Sequence, residues 1–318
     1  MACVSYAERS WQKIMSRDFS QVLAQAKAFP VQKAAVVSPE EENTLWGIEE
    51  ARKAGLVAPI LLGDEGKLRK LAAKLDLALS NYQLIACRNA EDSASQGVDL
   101  CRSGQADLLV KGFLPTPTFL RAVLHKERGI ASGKLLSHVA IFQLNSMDRL
   151  LFLSDGGMVV LPTLQQKLEI LKNALEVCHA LGIVEPKVAV LASVETVSEE
   201  LPATTDAAIL AMMWQRKQIK GCILDGPLAL DNAINPEALK EKAIDSPVGG
   251  CADLLLVPNI ESGNLLGKSL VHFGGALMAG AIQGARVPIV LVSRVDPPES
   301  KLYSIAVSTL IACRRKDS

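Results

Sequence analysis

Short apolar segments alternate with amphipathic segments along the first third of this chain. Apolar runs at 33–37, 58–62, 82–87 and 107–111 are separated by stretches with helical periodicity. A continuous apolar run is typical of a buried parallel strand, because helices cover both faces of such a sheet. The pattern therefore predicts strand–helix units of a doubly wound α/β fold with right-handed crossovers.

The first of these units also carries signals for the start of a helix. Ser38 is suited to the N-cap, Pro39 to the first turn, and Glu41 to the second half of a capping box, while Gly55 is suited to the C-terminal end. These residues predict a helix that begins directly after the strand at 33–37.

The pattern changes near the middle of the chain. Apolar runs at 139–144 and 149–153 follow each other without an intervening helix, which predicts a hairpin and a change of domain. Further strands are expected at 187–191, 221–224, 252–258 and 287–292, and helices at 164–181, 205–216 and 301–313. The sequence predicts two domains, with residues 1–140 plus 296–318 in the first and 141–295 in the second.

Three predicted strands end in polar clusters. Asp225-Gly226-Pro227 follows the run at 221–224, residues 259–264 follow the run at 252–258, and Ser293-Arg294 follows the run at 287–292. If the three strands are parallel, the clusters lie on one edge of one sheet, where α/β proteins bind their ligands. This stretch is therefore predicted to form a site.

A second candidate site follows the run at 107–111. Lys111 and Gly112 end that strand, and Thr116 and Thr118 stand at the start of the next helix. A cation, a flexible backbone and hydroxyl groups beside a helix N-terminus suit a phosphate group. A simple turn with a solvated lysine explains the same residues equally well.

Two glycine-containing segments resemble nucleotide-binding sequence motifs but do not match them fully. Residues 262–269 resemble a P-loop, but Ser262 stands where the first glycine is required. Gly274, Gly275, Gly280 and Gly284 lack the dinucleotide spacing, and close helix packing is the simplest interpretation of them.

Charge and metal-binding residue types exclude several classes of function. Lysine plus arginine and aspartate plus glutamate both number 34, so no net charge attracts nucleic acid or an anionic membrane. Neither the four histidines nor the seven cysteines show the spacing of a metal site or a disulfide framework. The N-terminal residues have no apolar block typical of a signal peptide, which favours a cytoplasmic location.

Several segments together resemble the phosphate acetyl/butyryl transferase family. They are 225–234 (DGPLALDNAI), 246–253 (SPVGGCAD), 257–264 (VPNIESGN), 287–294 (VPIVLVSR), Lys111-Gly112, 136–140 (LSHVA) and 202–204. The similarity extends over most of the chain from about residue 33, and DGPLALDNAI together with SHVA is more similar to the butyryl branch than to the acetyl branch.

The resemblance implies a fold and an activity. Its fold is two α/β/α domains with parallel or mixed sheets around a cleft, as in isocitrate and isopropylmalate dehydrogenases, in a homodimer or higher homo-oligomer. Its reaction reversibly converts butyryl-CoA and phosphate into butyryl phosphate and CoA, and the CoA thiolate attacks the acyl phosphate directly in a ternary complex. It uses no metal and no cofactor. CoA and phosphate are both substrates of the reaction.

The resemblance also implies roles for particular residues. Ser293 and Arg294 are expected to stabilise the transferring group, and Asp296 and Glu299 are the nearest carboxylates that could act as the base. Ser300 stands roughly where the acetyl branch has an aspartate, so Asp225 and Asp231 remain alternative bases. The residues expected to bind phosphate or CoA are Lys111, Gly112, Thr116, Asp225, Asn259, Glu261, Gly263, Asn264, Lys268 and His272.

Other functions remain open at this point. The same chemistry on acetyl or branched acyl groups is the nearest alternative, because one methylene is worth only about 1–3 kcal/mol of discrimination in an apolar pocket. A catalytically silent CoA-binding protein is an alternative of another class. A decarboxylating dehydrogenase would need metal-binding aspartates and a nicotinamide site, and neither pattern is present.

Overall fold

The computed structural model describes residues 15–292 and 297–317. The strands are β1 (Gln32–Val37), β2 (Val57–Gly63), β3 (Gln83–Ala86), β4 (Leu108–Lys111), β5 (Ser137–Gln143), β6 (Leu151–Ser154), β7 (Lys187–Leu191), β8 (Ile223–Leu228), β9 (Leu254–Leu256), β10 (Leu277–Gln283) and β11 (Ile289–Val290). The helices are α1 (Phe19–Lys27), α2 (Glu42–Lys53), α3 (Glu65–Lys74), α4 (Ala90–Arg102), α5 (Thr116–Val123), α6 (Leu164–Ala180), α7 (Pro202–Gln215), α8 (Leu230–Ile234), α9 (Pro236–Glu241), α10 (Ile260–His272) and α11 (Pro298–Asp317). The alternation of strands and helices confirms the predicted α/β class.

The strands form one mixed sheet in the order β3-β2-β1-β4-β11-β10-β5-β6-β9-β7-β8. β3, β2, β1, β4 and β11 are parallel to each other, and so are β6, β9, β7 and β8. Between these halves, β11–β10, β10–β5 and β5–β6 are antiparallel pairs. Since the direction reverses three times, the two parallel halves run in opposite directions.

The opposite directions correct one expectation about the predicted site. β8 and β9 run the same way, but β11 runs against them. The strands that precede the three polar clusters are therefore not all parallel. The argument that a shared edge of parallel strands gathers these clusters is wrong for β11.

Helices cover both faces of the sheet and form its apolar core. On one face, residues of α1, α2, α6 and α11 pack with residues of the sheet in a large core cluster. On the other face, α4 and α5 pack over the first half and α10 packs over the antiparallel centre. The closing helix predicted at 301–313 is confirmed within α11, which contacts α1 and α2 of the first half as well as β10.

Helix α2 begins later than the sequence signals predict. Ser38 adopts a left-handed backbone with φ of 48°, and its N–H donates to Leu62 O at 2.9 Å and to Ser93 Oγ at 2.8 Å. These contacts with β2 and α4 tie Ser38 to the end of the sheet. The helix starts at Glu42 with Glu41 as its N-cap, so the predicted start at Ser38 and Pro39 is wrong.

Strand β10 was missed in the sequence. Its central Gly280 pairs with Ala140 of β5, so the interpretation of this glycine as a helix-packing residue is wrong. The P-loop-like segment, by contrast, lies inside the continuous helix α10 and forms no phosphate-wrapping loop. Among the helices of the described ranges, none is long and apolar enough to cross a membrane.

Candidate active site

A cavity of about 520 Å³ lies against one face of the antiparallel centre of the sheet. Ala140 and Phe142 of β5, Leu153 of β6, and Met278 and Ile282 of β10 line it. Alternate residues of a strand point to the same face, and the register pairs Ala140 with Leu153 and Phe142 with Met278. The cavity therefore has an apolar floor.

One wall of the cavity is a face of α10 that extends from Gly263 to His272. A Cβ atom added at Gly263 would lie 2.7 Å from Gly156 Cα, and one added at Gly156 would lie 2.8 Å from the carbonyl carbon of Gly263. The two glycines thus let α10 pack backbone to backbone on the loop that follows β6. Asn264 completes the contact by donating from Nδ2 to Gly156 O at 3.2 Å.

Lysine and histidine side chains reach the cavity from both halves of the sheet. Lys111 ends β4, is only 6% exposed, and lines the cavity together with Thr116 at the start of α5. Lys268 and His272 line it from α10. A cavity with an apolar floor and cationic walls is suited to a ligand that joins a short acyl chain to anionic groups.

His138 and Asp155 form a titratable pair beside the floor. His138 lies on β5 and lines the cavity, and Asp155 follows β6 and is 3% exposed. Burial raises the pKa of the Asp155 carboxyl, while the charge of His138 and backbone N–H donors act in the opposite direction. The carboxylate accepts hydrogen bonds from the N–H groups of Gly157, Met158 and Val159 at 2.8, 3.0 and 3.1 Å.

Six of the residues predicted to bind phosphate or CoA line this one cavity: Lys111, Thr116, Gly263, Asn264, Lys268 and His272. They come from segments more than 140 residues apart in sequence, and the fold brings them together. This grouping is the main agreement between the predicted site and the observed geometry.

Two other predicted binding residues have structural contacts instead. The N–H of Gly112 donates to Val37 O at 2.9 Å, and a Cβ atom at Gly112 would lie 2.2 Å from Ser38 O. Glycine is required there by the close approach of β1. Asn259 caps α10 by accepting from the N–H of Ser262 at 2.9 Å. Neither residue lines the cavity.

The predicted carboxylates also lie away from the cavity lining. Asp225 is on β8, at the outer edge of the sheet, and accepts from its neighbour's N–H. Glu261 and Glu299 are exposed in the first turns of α10 and α11. Asp231 forms an ion pair with Lys242 at 3.0 Å. Their predicted roles have no support from the position of the cavity.

Ser293, Arg294 and Asp296 lie outside the described residues. The described part of the chain reaches the cavity wall at Leu291 and Val292, the two residues that precede Ser293 in sequence. The roles predicted for Ser293, Arg294 and Asp296 stay predictions.

Sequence reasoning did not select His138, Asp155 or Gly156 as site residues. A histidine in an otherwise apolar strand and an aspartate at a strand end were visible signals. The interaction between His138 and Asp155 was not visible, because it depends on how the loop after β6 packs against β5. In the described ranges, no group of three or more histidine, cysteine, aspartate or glutamate side chains is arranged to hold a metal ion.

Comparison with known proteins gives consistent matches. A phosphate butyryltransferase of Clostridium beijerinckii is 42% identical over 302 residues, which cover 95% of this chain and 100% of that protein. A phosphate acetyltransferase of Rhizobium meliloti is 39% identical over 298 residues, which cover 94% of each chain. The crystal structure of a branched-chain phosphotransacylase from Enterococcus faecalis V583 matches with a TM-score of 0.79 and 30% identity, covering 89% of this chain and 99% of that one.

The family comparison agrees with these relatives and with the resemblance noted in the sequence. The family model described as phosphate acetyl/butaryl transferase matches residues 85–309, which include β4, α10 and the whole cavity floor. This chain belongs to the phosphate acetyl/butaryl transferase family.

Proposed function

We propose that this protein is an acyltransferase that exchanges CoA and phosphate on a short-chain acyl group, with butyryl-CoA and phosphate giving butyryl phosphate and CoA. The observation that carries the proposal is the cavity, in which an apolar floor meets Lys111, Lys268 and His272. The sequence similarity to a phosphate butyryltransferase over nearly the whole chain supports the same reaction.

The protein must assist the reaction in three ways: it must help to remove the thiol proton, stabilise the oxyanion and stabilise the leaving phosphate. A CoA thiol, with a pKa near the value of about 8.5 for cysteine, must lose its proton before it attacks the acyl phosphate. The oxyanion that forms and the phosphate that leaves need cations and hydrogen-bond donors. Lys111 and Lys268 supply charge at the cavity, and Ser293 and Arg294 are proposed to supply a hydroxyl donor and a guanidinium fork.

The acyl chain is proposed to lie on the apolar floor. Ala140 is flanked in the sheet by Leu153 and Gly280, and Phe142 by Met278, so small and large side chains alternate there. Transfer of a butyryl chain from water to such a surface is favourable by about 0.8 kcal/mol for each buried methylene. The floor thus provides binding energy that grows with chain length.

Acetyl and branched acyl groups are the alternative substrates. The relatives that are named a phosphate acetyltransferase and a branched-chain phosphotransacylase favour this alternative. Initial rates with acetyl-, propionyl-, butyryl- and isobutyryl-CoA at a fixed phosphate concentration decide between them. The proposal predicts the highest kcat/KM for butyryl-CoA.

The activity is tested by following free thiol released from butyryl-CoA with and without phosphate. We expect release only when phosphate is present, and the same rate after treatment with EDTA, because the reaction is proposed to need no metal or other cofactor. Equal thiol release without phosphate would indicate thioester hydrolysis and contradict the proposal. Calorimetric binding of CoA without turnover of any acyl-CoA would favour the catalytically silent binding protein.

The finer architecture also belongs to the proposal. The two parallel halves of the sheet are proposed to correspond to two α/β/α domains of the isocitrate and isopropylmalate dehydrogenase type, with the cavity in the cleft between them. We further propose a cytoplasmic homodimer or higher homo-oligomer with small-molecule substrates and no nucleic-acid or membrane partner. Sedimentation velocity at micromolar concentration tests the oligomer, and a monomer would contradict it.

A further inference from the structure

The imidazole of His138 occupies space that only glycine neighbours leave open. A Cβ atom added at Gly280 of β10 would lie 2.7 Å from His138 Nε2, and one added at Gly157 would lie 3.4 Å from Nδ1. The ring is thus held between the sheet and the loop after β6, and it lines the cavity. An ordinary side chain at Gly280 would displace it.

Asp155 lies beside this ring. Ser154, which precedes Asp155, donates from Oγ to His138 O at 2.9 Å; burial raises the pKa of the Asp155 carboxyl, and the charge of His138 acts to lower it. Three backbone N–H groups of residues 157–159 fix the orientation of its carboxylate. A buried negative charge beside a histidine stabilises the protonated form of the ring.

We propose that His138 is the general acid–base catalyst of the acyl exchange and that Asp155 is its positioning residue. The inference rests on the proposed function and deepens it, because it assigns the proton transfer to a residue of the cavity wall, which the described base candidates Asp225, Asp231 and Glu299 do not line. His138 is the residue that contacts the substrates, and Asp155 acts through it.

The proposed step is balanced without any further reactant. The neutral imidazole takes the proton from the CoA thiol while the sulfur forms its bond to the acyl carbon. The bond between the acyl carbon and the phosphate oxygen then breaks. The imidazolium gives its proton to the departing phosphate, which leaves as hydrogen phosphate, and the neutral ring is restored. In the reverse direction the ring takes the proton of the attacking phosphate and gives it to the departing thiolate.

The other charged groups at the described cavity wall are less suited to this step. Lys111 ends β4 and Lys268 lies on α10, and an ammonium group at neutral pH has no lone pair with which to accept a proton. His272 is exposed in the last turn of α10, whereas the His138 ring is enclosed between β10 and the loop after β6. From β10, the neighbours of His138 are Gly280 and Ile282, which do not titrate.

The test compares His138→Gln, His138→Ala and Asp155→Asn with the wild-type enzyme. We expect His138→Gln to lower kcat by about 100-fold or more, as is usual for loss of a general base, with a much smaller change in KM. We also expect the acidic limb of the pH–kcat profile to disappear, because the group that must be deprotonated is gone. Asp155→Asn should lower kcat less than His138→Gln.

Rescue separates catalysis from a packing role. His138→Ala leaves a gap of one ring between Gly157 and Gly280, and added imidazole should restore part of kcat after subtraction of the enzyme-free rate. Imidazole should not rescue Asp155→Asn, in which the ring is still present. His125→Gln is the matched control, because His125 lies outside the cavity, where its Nδ1 accepts from the N–H of Glu127 and Arg128. It should retain the wild-type kcat.

Two results would overturn the inference. One is a folded His138→Gln enzyme with kcat within about threefold of wild type and an unchanged pH profile. The other is a His138→Ala enzyme that binds CoA by calorimetry but gains nothing from imidazole. Either result leaves the proposed function intact, because the wild-type enzyme still releases thiol in the presence of phosphate. A wild-type protein without that activity would contradict the proposed function itself.

Discussion

Ala140 is the residue that most directly tests where the acyl chain binds. It lies on the cavity floor, 4% exposed, between Gly280 of β10 and Leu153 of β6. In Ala140→Val the two added methyl groups occupy space at the floor. We expect kcat/KM for butyryl-CoA to fall by about tenfold or more, with at most about a twofold change for acetyl-CoA. Initial rates with both esters measure the ratio, and an equal loss for both would place the acyl chain elsewhere.

Arg294 is the residue on which the proposed phosphate contact depends. Removal of a guanidinium that stabilises developing charge should lower kcat/KM by about 10²- to 10³-fold. Arg294→Ala is compared with Arg294→Lys, which keeps the charge and loses the bidentate fork, and which should have intermediate activity. Circular dichroism checks that both variants fold. Full activity of Arg294→Ala would remove this residue from the site.

Some residues of the candidate site could be predicted from the sequence and others could not. Lys111 was predicted because a cation at a strand end beside a helix N-terminus suits a phosphate group, and Lys268 and His272 were predicted from the family resemblance. Gly112 and Asn259 were predicted for the same kind of reason, but local backbone contacts account for them. His138 and Asp155 were missed because each is unremarkable alone, and their electrostatic interaction depends on the folded arrangement of β5 and the loop after β6.

At the scale of elements, the contact between α10 and the loop after β6 holds the cavity wall in place. In Gly263→Ala, the added Cβ would lie 2.7 Å from Gly156 Cα and 2.9 Å from Asp155 O. Since both are backbone atoms, α10 must move away. We expect a destabilisation of about 1–3 kcal/mol in urea unfolding and a higher KM for CoA. Gly267→Ala is the graded comparison, because its Cβ would meet Phe142 Cζ at 3.3 Å, and its effect should be smaller. Equal effects would contradict the packing argument.

A second element-scale prediction concerns the acid stability of α2. The guanidinium of Arg52 hydrogen bonds to Glu49 at 2.7 Å and lowers the pKa of that carboxyl, and the Tyr82 hydroxyl before β3 donates to it as well. A lowered folded-state pKa stabilises the protein above the unfolded value near 4.5, and this stability is lost as pH falls. The Tm of Glu49→Gln should therefore lie below wild type at pH 7 and approach it below about pH 4. A pH-independent Tm difference would contradict this assignment.

The elements themselves were predictable to different degrees. Long periodic helices such as α4 and α6, and β-branched or leucine-rich strands such as β2, follow from local pattern alone. β10 was missed because its small residues, including Gly280, suggest neither a strand nor a helix. Its neighbours β5 and β11 give it its structure, and those pairings join distant parts of the chain.

At the scale of the whole molecule, the two parallel halves of the sheet run in opposite directions, and this arrangement determines where the cavity forms. Local patterns predict parallel strands within each half and the β5–β6 hairpin, but not the antiparallel pairings of β10 with β5 and with β11. Those pairings bring the end of β4 and the start of α10 to one cavity. The single-edge site predicted from the sequence is replaced by a site at the junction of two oppositely directed halves.

The central claim is that the whole protein exchanges CoA and phosphate on one acyl group. The most direct measurement follows butyryl-CoA and phosphate with the enzyme by ³¹P NMR, together with a parallel thiol assay. We predict that butyryl phosphate and free CoA appear in a ratio of one to one, and that added CoA reverses the reaction. Free CoA that accumulates without butyryl phosphate would contradict the account.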